Sequence, residues 1–183
     1  MRRRFLFWVL AVILLLNGIC VCGPLADEDF VKVGPVTFKM GNTFGGWWFE
    51  RHVHEVQLSE YEICKYEVTN GQYAKFLNAA MEAGEIFVRE GIVYGKGDAG
   101  RERPLFVCYI AGKNYGQIKF EGGEFVVRVR DGMSMVRHPV VMVSWYGAKA
   151  FCDFYGYRLP SEAQWECAAR GGKAGFKYPW GSN

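Results

Sequence analysis

Between His138 and Gly181 the sequence reads HPVVMVSWYGAKAFCDFYGYRLPSEAQWECAARGGKAGFKYPWG, which places two helix starts, a turn and an aromatic-rich closing loop in direct succession. Ser144 stands as an N-cap ahead of Ala148, Phe151, Cys152 and Tyr155, which recur at helical spacing until Gly156 ends the run. After Pro160, Ser161 and Gln164 form a capping box that satisfies free backbone donors, so another helix runs from Ser161 to the Gly171 and Gly172 pair. Helices this short, set so close together, belong to a domain in which loops and strands carry much of the chain.

The rest of the sequence supplies those strands and one further helix. Phe30 to Met40 alternates loosely, with Val36, Phe38 and Met40 on one face, and predicts a strand entering the core; His52 to Leu58 predicts a second. Thr69 with Gln72 is a further capping box, and Tyr73, Phe76, Leu77 and Ala80 form the apolar stripe of the helix that follows. From Glu82 to Val136 the pattern loosens into short strands and turns, as in an inserted region. The clearest is a hairpin, Tyr115 to Phe120 and Phe125 to Val129, turning at Glu121, Gly122 and Gly123. Val140 to Val143 reads as a short buried strand. Three short helices among many short strands make an α+β domain.

The first residues stand apart from this domain. Arg2, Arg3 and Arg4 precede an apolar run from Phe5 to Leu16, and small residues follow at Gly18, Cys20, Cys22 and Gly23, the pattern of a secretory signal peptide over residues 1–22, with an uncleaved N-terminal anchor or a lipoprotein signal as the alternatives. Residues 23–29 then link it to a domain over 30–183, and the protein is expected to be secreted or to lie in the periplasm or cell envelope. Loss of the three leader arginines cancels the formal charge of +3, so no basic patch for nucleic acid is implied. Cys64, Cys108, Cys152 and Cys167 remain in a compartment that permits oxidation, and the sequence does not choose among their pairings.

EVTNGQYAKFLNA (Glu67 to Ala79), HPVVMVSWYGAKAFC (His138 to Cys152), RLPSEAQWECAARGG (Arg158 to Gly172) and YPWG (Tyr178 to Gly181) resemble the formylglycine-generating enzyme family, also called the sulfatase-modifying factor family. MGNTFGG from Met40 and HEVQLSEYEICKYEVTN from His54 match the family's opening in the same order. The resemblance implies a compact α+β fold related to C-type lectin domains. It also implies oxygen-dependent oxidation of a protein cysteine to formylglycine, with copper as the catalytic metal, calcium in a structural role and a sulfatase or other protein or peptide as substrate. Alternatives within the same resemblance are a noncatalytic, lectin-like binding or assembly module and an iron-dependent sulfoxide synthase. In the family the copper-binding cysteine pair and the calcium positions follow the YPWG loop. This sequence ends at Asn183, so it is expected to be the N-terminal two-thirds of such a domain, inactive as it stands, with no catalytic, cofactor or metal residue to carry over.

Each candidate site residue also has a structural reading. Cys152 falls on the apolar stripe of its helix and Cys167 on the next helix, so buried thiols, or a bridge between the two helices, are expected rather than nucleophiles. His52 and His54 share a strand face, the simplest geometry for a metal pair, but with His138 they read as structural histidines. Glu162 and Glu166 lie one helical turn apart with Arg158 and Arg170 nearby, a charge network about a capped helix start. Trp145, Trp165 and Trp180, with Tyr146 and Tyr178, are expected in the core because such rings need fixed partners. Trp47 and Trp48 mark a place to look for a groove.

Overall fold

A computed structural model describes residues 25–42, 52–96, 101–108, 116–171, 173 and 178–181. The expected leader, Gly45, Gly46, Trp47, Trp48, Tyr115 and Gly172 lie outside the described residues. After a single 3-10 turn at Asp27–Asp29, the strand expected from Phe30 to Met40 is in fact two, β1 (Phe30–Val33) and β2 (Val36–Met40). Gly34 holds a left-handed φ of 90° and Pro35 has no N–H to extend a ladder, so the chain changes partners there. β2 pairs antiparallel with β3 (His54–Leu58), setting buried Phe38 opposite Val56, whereas β1 pairs with β4 (Tyr61–Cys64).

Helix α1 (Asn70–Glu82) begins at the expected capping box: Thr69 Oγ1 accepts from Gln72 N–H, and Gln72 Oε1 accepts from Thr69 N–H at 2.8 Å. Its stripe of Tyr73, Phe76, Leu77 and Ala80 is buried throughout. A three-stranded antiparallel meander follows, β5 (Ile86–Arg89), β6 (Ile92–Lys96) and β7 (Glu102–Val107). The hairpin β8 (Ile118–Glu121) and β9 (Glu124–Val127) turns at Gly122 and Gly123, both at positive φ, as the tight two-residue turn demands. A smaller pair, β10 (Val129–Arg130) and β11 (Met133–Ser134), leads to the last two helices, α2 (Trp145–Phe154) and α3 (Glu162–Ala169). Ser144 and Ser161 cap them as expected, the second with its full capping box.

The core forms where α1 meets β7, β9 and α2. Tyr73 lies 5.5 Å from Phe106 and stacks 5.8 Å from Phe151, and Phe76 meets Phe151 edge-on at 5.6 Å. The region that reads as an insertion is integral to this core, because Ile86, Val93, Leu105, Ile118 and Phe125 close it. The expected strand at Val140 to Val143 is absent. Val141 is exposed and Met142 has φ of 66°, a conformation set by partners on both sides: Val140 N–H donates to Val68 C=O, while Met142 C=O accepts from Val107 N–H. Asn70, fully buried at the start of α1, donates from Nδ2 to the carbonyls of Met135 and His138 and so fastens this segment to the helix.

Candidate functional site

The link between β4 and α1 runs beside the segment that carries Arg137, and the two form the walls of a cleft of about 660 Å³. Backbone bonds hold the walls: Lys65 N–H donates to Asp29 C=O at 2.7 Å, and Thr69 bridges to Pro139. Thr69 and Gln72, already joined in the capping box, border the cleft at the start of α1. Around them stand Asp29, Cys64, Lys65, Tyr66, Glu67 and Arg137. Tyr66 is 73% exposed, with Lys65 Nζ 6.0 Å from its ring centre, and Arg137 makes no ion pair among the described residues. An exposed aromatic ring flanked by charged side chains of both signs can meet an extended peptide.

Burial disfavours the thiolate at three of the four described cysteines. Burial raises Cys64, with Asp29 adding to it; burial raises Cys152, with Asp153 and Cys64 adding. Cys108, just after β7, is pushed by burial from an ordinary 9.0 up to about 11, against the pull of the Arg128 guanidinium. Cys167 is buried under Tyr61, whose hydroxyl donates to Gln164 C=O at 2.7 Å and is pushed up to about 12 by burial first and Cys167 second. All four are free thiols, and the Cys152–Cys167 bridge considered from the sequence does not form. Copper binds thiolates, which burial disfavours at Cys64, Cys108 and Cys152, so these three do not fit the copper centre that the family resemblance implies. Among the described residues no group of three His, Cys, Asp or Glu side chains stands together as a metal site.

The Cys108 thiol makes alkaline stability testable. The folded chain holds its proton up to about 11, whereas an unfolded chain releases it from about 9, so the contribution is full below pH 9 and is lost as pH rises to 11. The loss is on the order of 2 kcal/mol. Guanidinium unfolding from pH 8 to 11 is expected to show a shallower decline for Cys108→Val than for the parent chain; parallel declines count against this assignment.

His52 and His54 are exposed, and His54 Nδ1 lies 2.8 Å from the His52 carbonyl. His138 is exposed as well and acts through its backbone carbonyl, which accepts from Asn70. Glu166 and Arg170 pair at 2.9 Å, and both reach the end of β2: Glu166 Oε1 accepts from Gly41 N–H, and Arg170 donates to Gly41 C=O at 2.8 Å. Glu162 lies exposed in the first turn of α3, where an acid favours the helix dipole, and is outside that pair.

The aromatic residues correct the expectation of core packing. Trp145 and Trp165 are each 62% exposed and Trp180 is 77% exposed, with Tyr146 and Tyr178 exposed too. The inner face of α2 belongs to Gly147 and Phe151, and that of α3 to Cys167, which turns both tryptophans outward. Trp145 meets Tyr146 edge-on, Arg103 lies 4.6 Å over the Tyr146 ring, and Trp180 stacks on Tyr178 at 5.1 Å. Sequence reasoning missed Lys65, Tyr66 and Arg137 as cleft residues. The polar run Lys65 to Glu67, set between apolar neighbours, was the available signal.

Comparison with known proteins agrees with this architecture. The family model of the sulfatase-modifying factor enzyme 1-like domain matches residues 24–183. The chain is 32% identical over 174 residues to the formylglycine-generating enzyme of Streptomyces coelicolor, covering 86% of this chain and 52% of that enzyme. It is 31% identical over 157 residues to the serine/threonine-protein kinase Pkn1 of Chlamydia trachomatis, covering 86% of this chain and 21% of the kinase. A 44-residue stretch is 59% identical to the inactive C-alpha-formylglycine-generating enzyme 2 of Bos taurus, covering 24% of this chain and 15% of that protein. The chain thus spans about half the length of the Streptomyces relative and about a fifth of the kinase. With the family model matched from residue 24 to the last residue, and short helices set among many short strands, the chain belongs to the formylglycine-generating enzyme, or sulfatase-modifying factor, family.

Proposed function

We propose that this chain is the scaffold and part of the peptide-binding surface of an exported formylglycine-generating-type protein, whose full-length form oxidises a cysteine of a sulfatase or similar protein to formylglycine. The observation that carries this reading is the cleft beside Tyr66, which offers an exposed ring and charges of both signs within the family framework. Burial disfavours the thiolate at Cys64, Cys108 and Cys152, which supports a chain whose own residues bind and position while the oxidising centre is supplied elsewhere in the protein. Export follows from the leader-like first residues.

The exposed Trp145, Trp165 and Trp180 favour a second reading, a binding or assembly module without chemistry. The similarity to a relative named inactive and to a kinase supports that reading. A fluorescent cysteine-containing sulfatase peptide distinguishes the outcomes. Tyr66→Ala and Arg137→Ala are each expected to weaken its binding about tenfold. Unchanged affinity in both variants overturns the cleft assignment. With copper and oxygen present, mass spectrometry of the peptide after exposure to the full-length form of the protein reports formylglycine for the oxidase, or binding without conversion for the module.

A further inference from the structure

Cys64 closes β4 and Cys152 lies in α2, yet a short chain of contacts brings their surroundings together. Cys64 faces Phe30 across the β1–β4 ladder. The Phe30 ring lies 5.6 Å from that of Tyr157, and Tyr157 N–H donates to Cys152 C=O at 2.7 Å. The Cys152 thiol feels Cys64 as an electrostatic neighbour. Both side chains are half-buried, and Cys64 also borders the cleft, from which a reagent reaches it. The other two described thiols are placed differently, Cys108 in the core and Cys167 under Tyr61.

We propose that Cys64 and Cys152 are a disulfide site, closed by thiol–disulfide exchange with a small disulfide oxidant of the glutathione disulfide class, and that the bond ties the cleft wall to α2. Cys64 loses its proton and attacks one sulfur of glutathione disulfide, which breaks the S–S bond and releases one glutathione thiolate. The Cys152 thiolate then attacks the Cys64 mixed disulfide and releases the second glutathione. Two protein thiols are oxidised, one glutathione disulfide is reduced, and the two protons pass to the two glutathione thiolates.

The bridge holds β4 in place just ahead of Lys65, Tyr66 and Glu67, so it fixes one wall of the cleft. It also closes a long loop, which restricts the unfolded chain. The test begins with the reduced full chain, incubated with glutathione disulfide, digested without reduction and mapped by mass spectrometry. The expected result is a linked peptide joining Cys64 to Cys152, together with a rise in Tm of about 10 °C. Both are lost in Cys64→Ser and in Cys152→Ser. Glutathione carried singly on Cys64 or Cys152, or a link from either to Cys20, Cys22, Cys108 or Cys167, overturns the proposal.

Discussion

Gly147→Ala is expected to lower stability by roughly 3–5 kcal/mol, or to leave the chain unfolded, although alanine in place of glycine ordinarily strengthens a helix by up to about 1 kcal/mol. The sign reverses because α2 starts directly against the backbone of β7. Ser144 N–H donates to Leu105 C=O at 2.9 Å, Ser144 Oγ donates to Pro104 C=O at 2.6 Å, and Gly147 N–H donates back to Ser144 Oγ at 3.0 Å. A Cβ on Gly147 would collide with the Leu105 carbonyl oxygen, and would stand 2.7 Å from Tyr73 Oη. The carbonyl is backbone and cannot swing aside, so α2 must withdraw and open the contact between Tyr73 and Phe151. Chemical denaturation followed by circular dichroism measures the loss. A variant as stable as the parent would show that α2 is not seated this closely.

Asn70→Asp carries the second large effect, and it depends on pH. The Asn70 amide sits fully buried with Nδ2 directed at two carbonyl oxygens, while its Oδ1 finds no partner among the described residues. A carboxylate in that place replaces two donated hydrogen bonds with repulsion between acceptors. The expected cost at neutral pH is roughly 3–5 kcal/mol. Burial favours the protonated acid, so the folded-state pKa of the new carboxyl lies above the ordinary value of about 3.9. The folded variant then binds more protons than the unfolded chain above that pH, and the deficit relative to the parent grows as pH rises. Urea unfolding at pH 4 and pH 7 is expected to give a clearly smaller gap between variant and parent at the lower pH. An equal gap at both would place the residue-70 side chain in contact with water.

What was legible in the sequence was local. The capping boxes at Thr69 with Gln72 and Ser161 with Gln164 each depend on residues within one helical turn, and both stand as read. The glycine pair in the β8–β9 turn likewise declares its own backbone requirement. The misread places depend on distant partners. Met142 takes its positive φ where Val107, one strand away, claims its carbonyl, and nothing between Val140 and Val143 announces that. The outward tryptophans show the same limit: ring size argues for burial, but which helix face meets the core is decided by how closely Gly147 and Cys167 approach their neighbours. Tyr66 and Arg137 meet at the cleft only because β4 and the segment after β11 converge there.

The ties between Gly41 and the Glu166–Arg170 pair join positions 125 and 129 residues apart in the chain. Together with the Tyr73–Phe151 stack, they mean that neither β2 nor α3 settles before the other has been made. Folding therefore requires the closure of long loops ahead of any reward in buried surface, which slows it relative to a chain of local contacts. A nascent chain leaving the ribosome carries α1 with its aromatic stripe covered on one side by β7 and β9, and open on the side of Phe151 until α2 emerges. Over that interval the protein depends on whatever shields apolar segments in transit, and the arrival of α2 ends the exposure of Tyr73 and Phe76 toward Phe151.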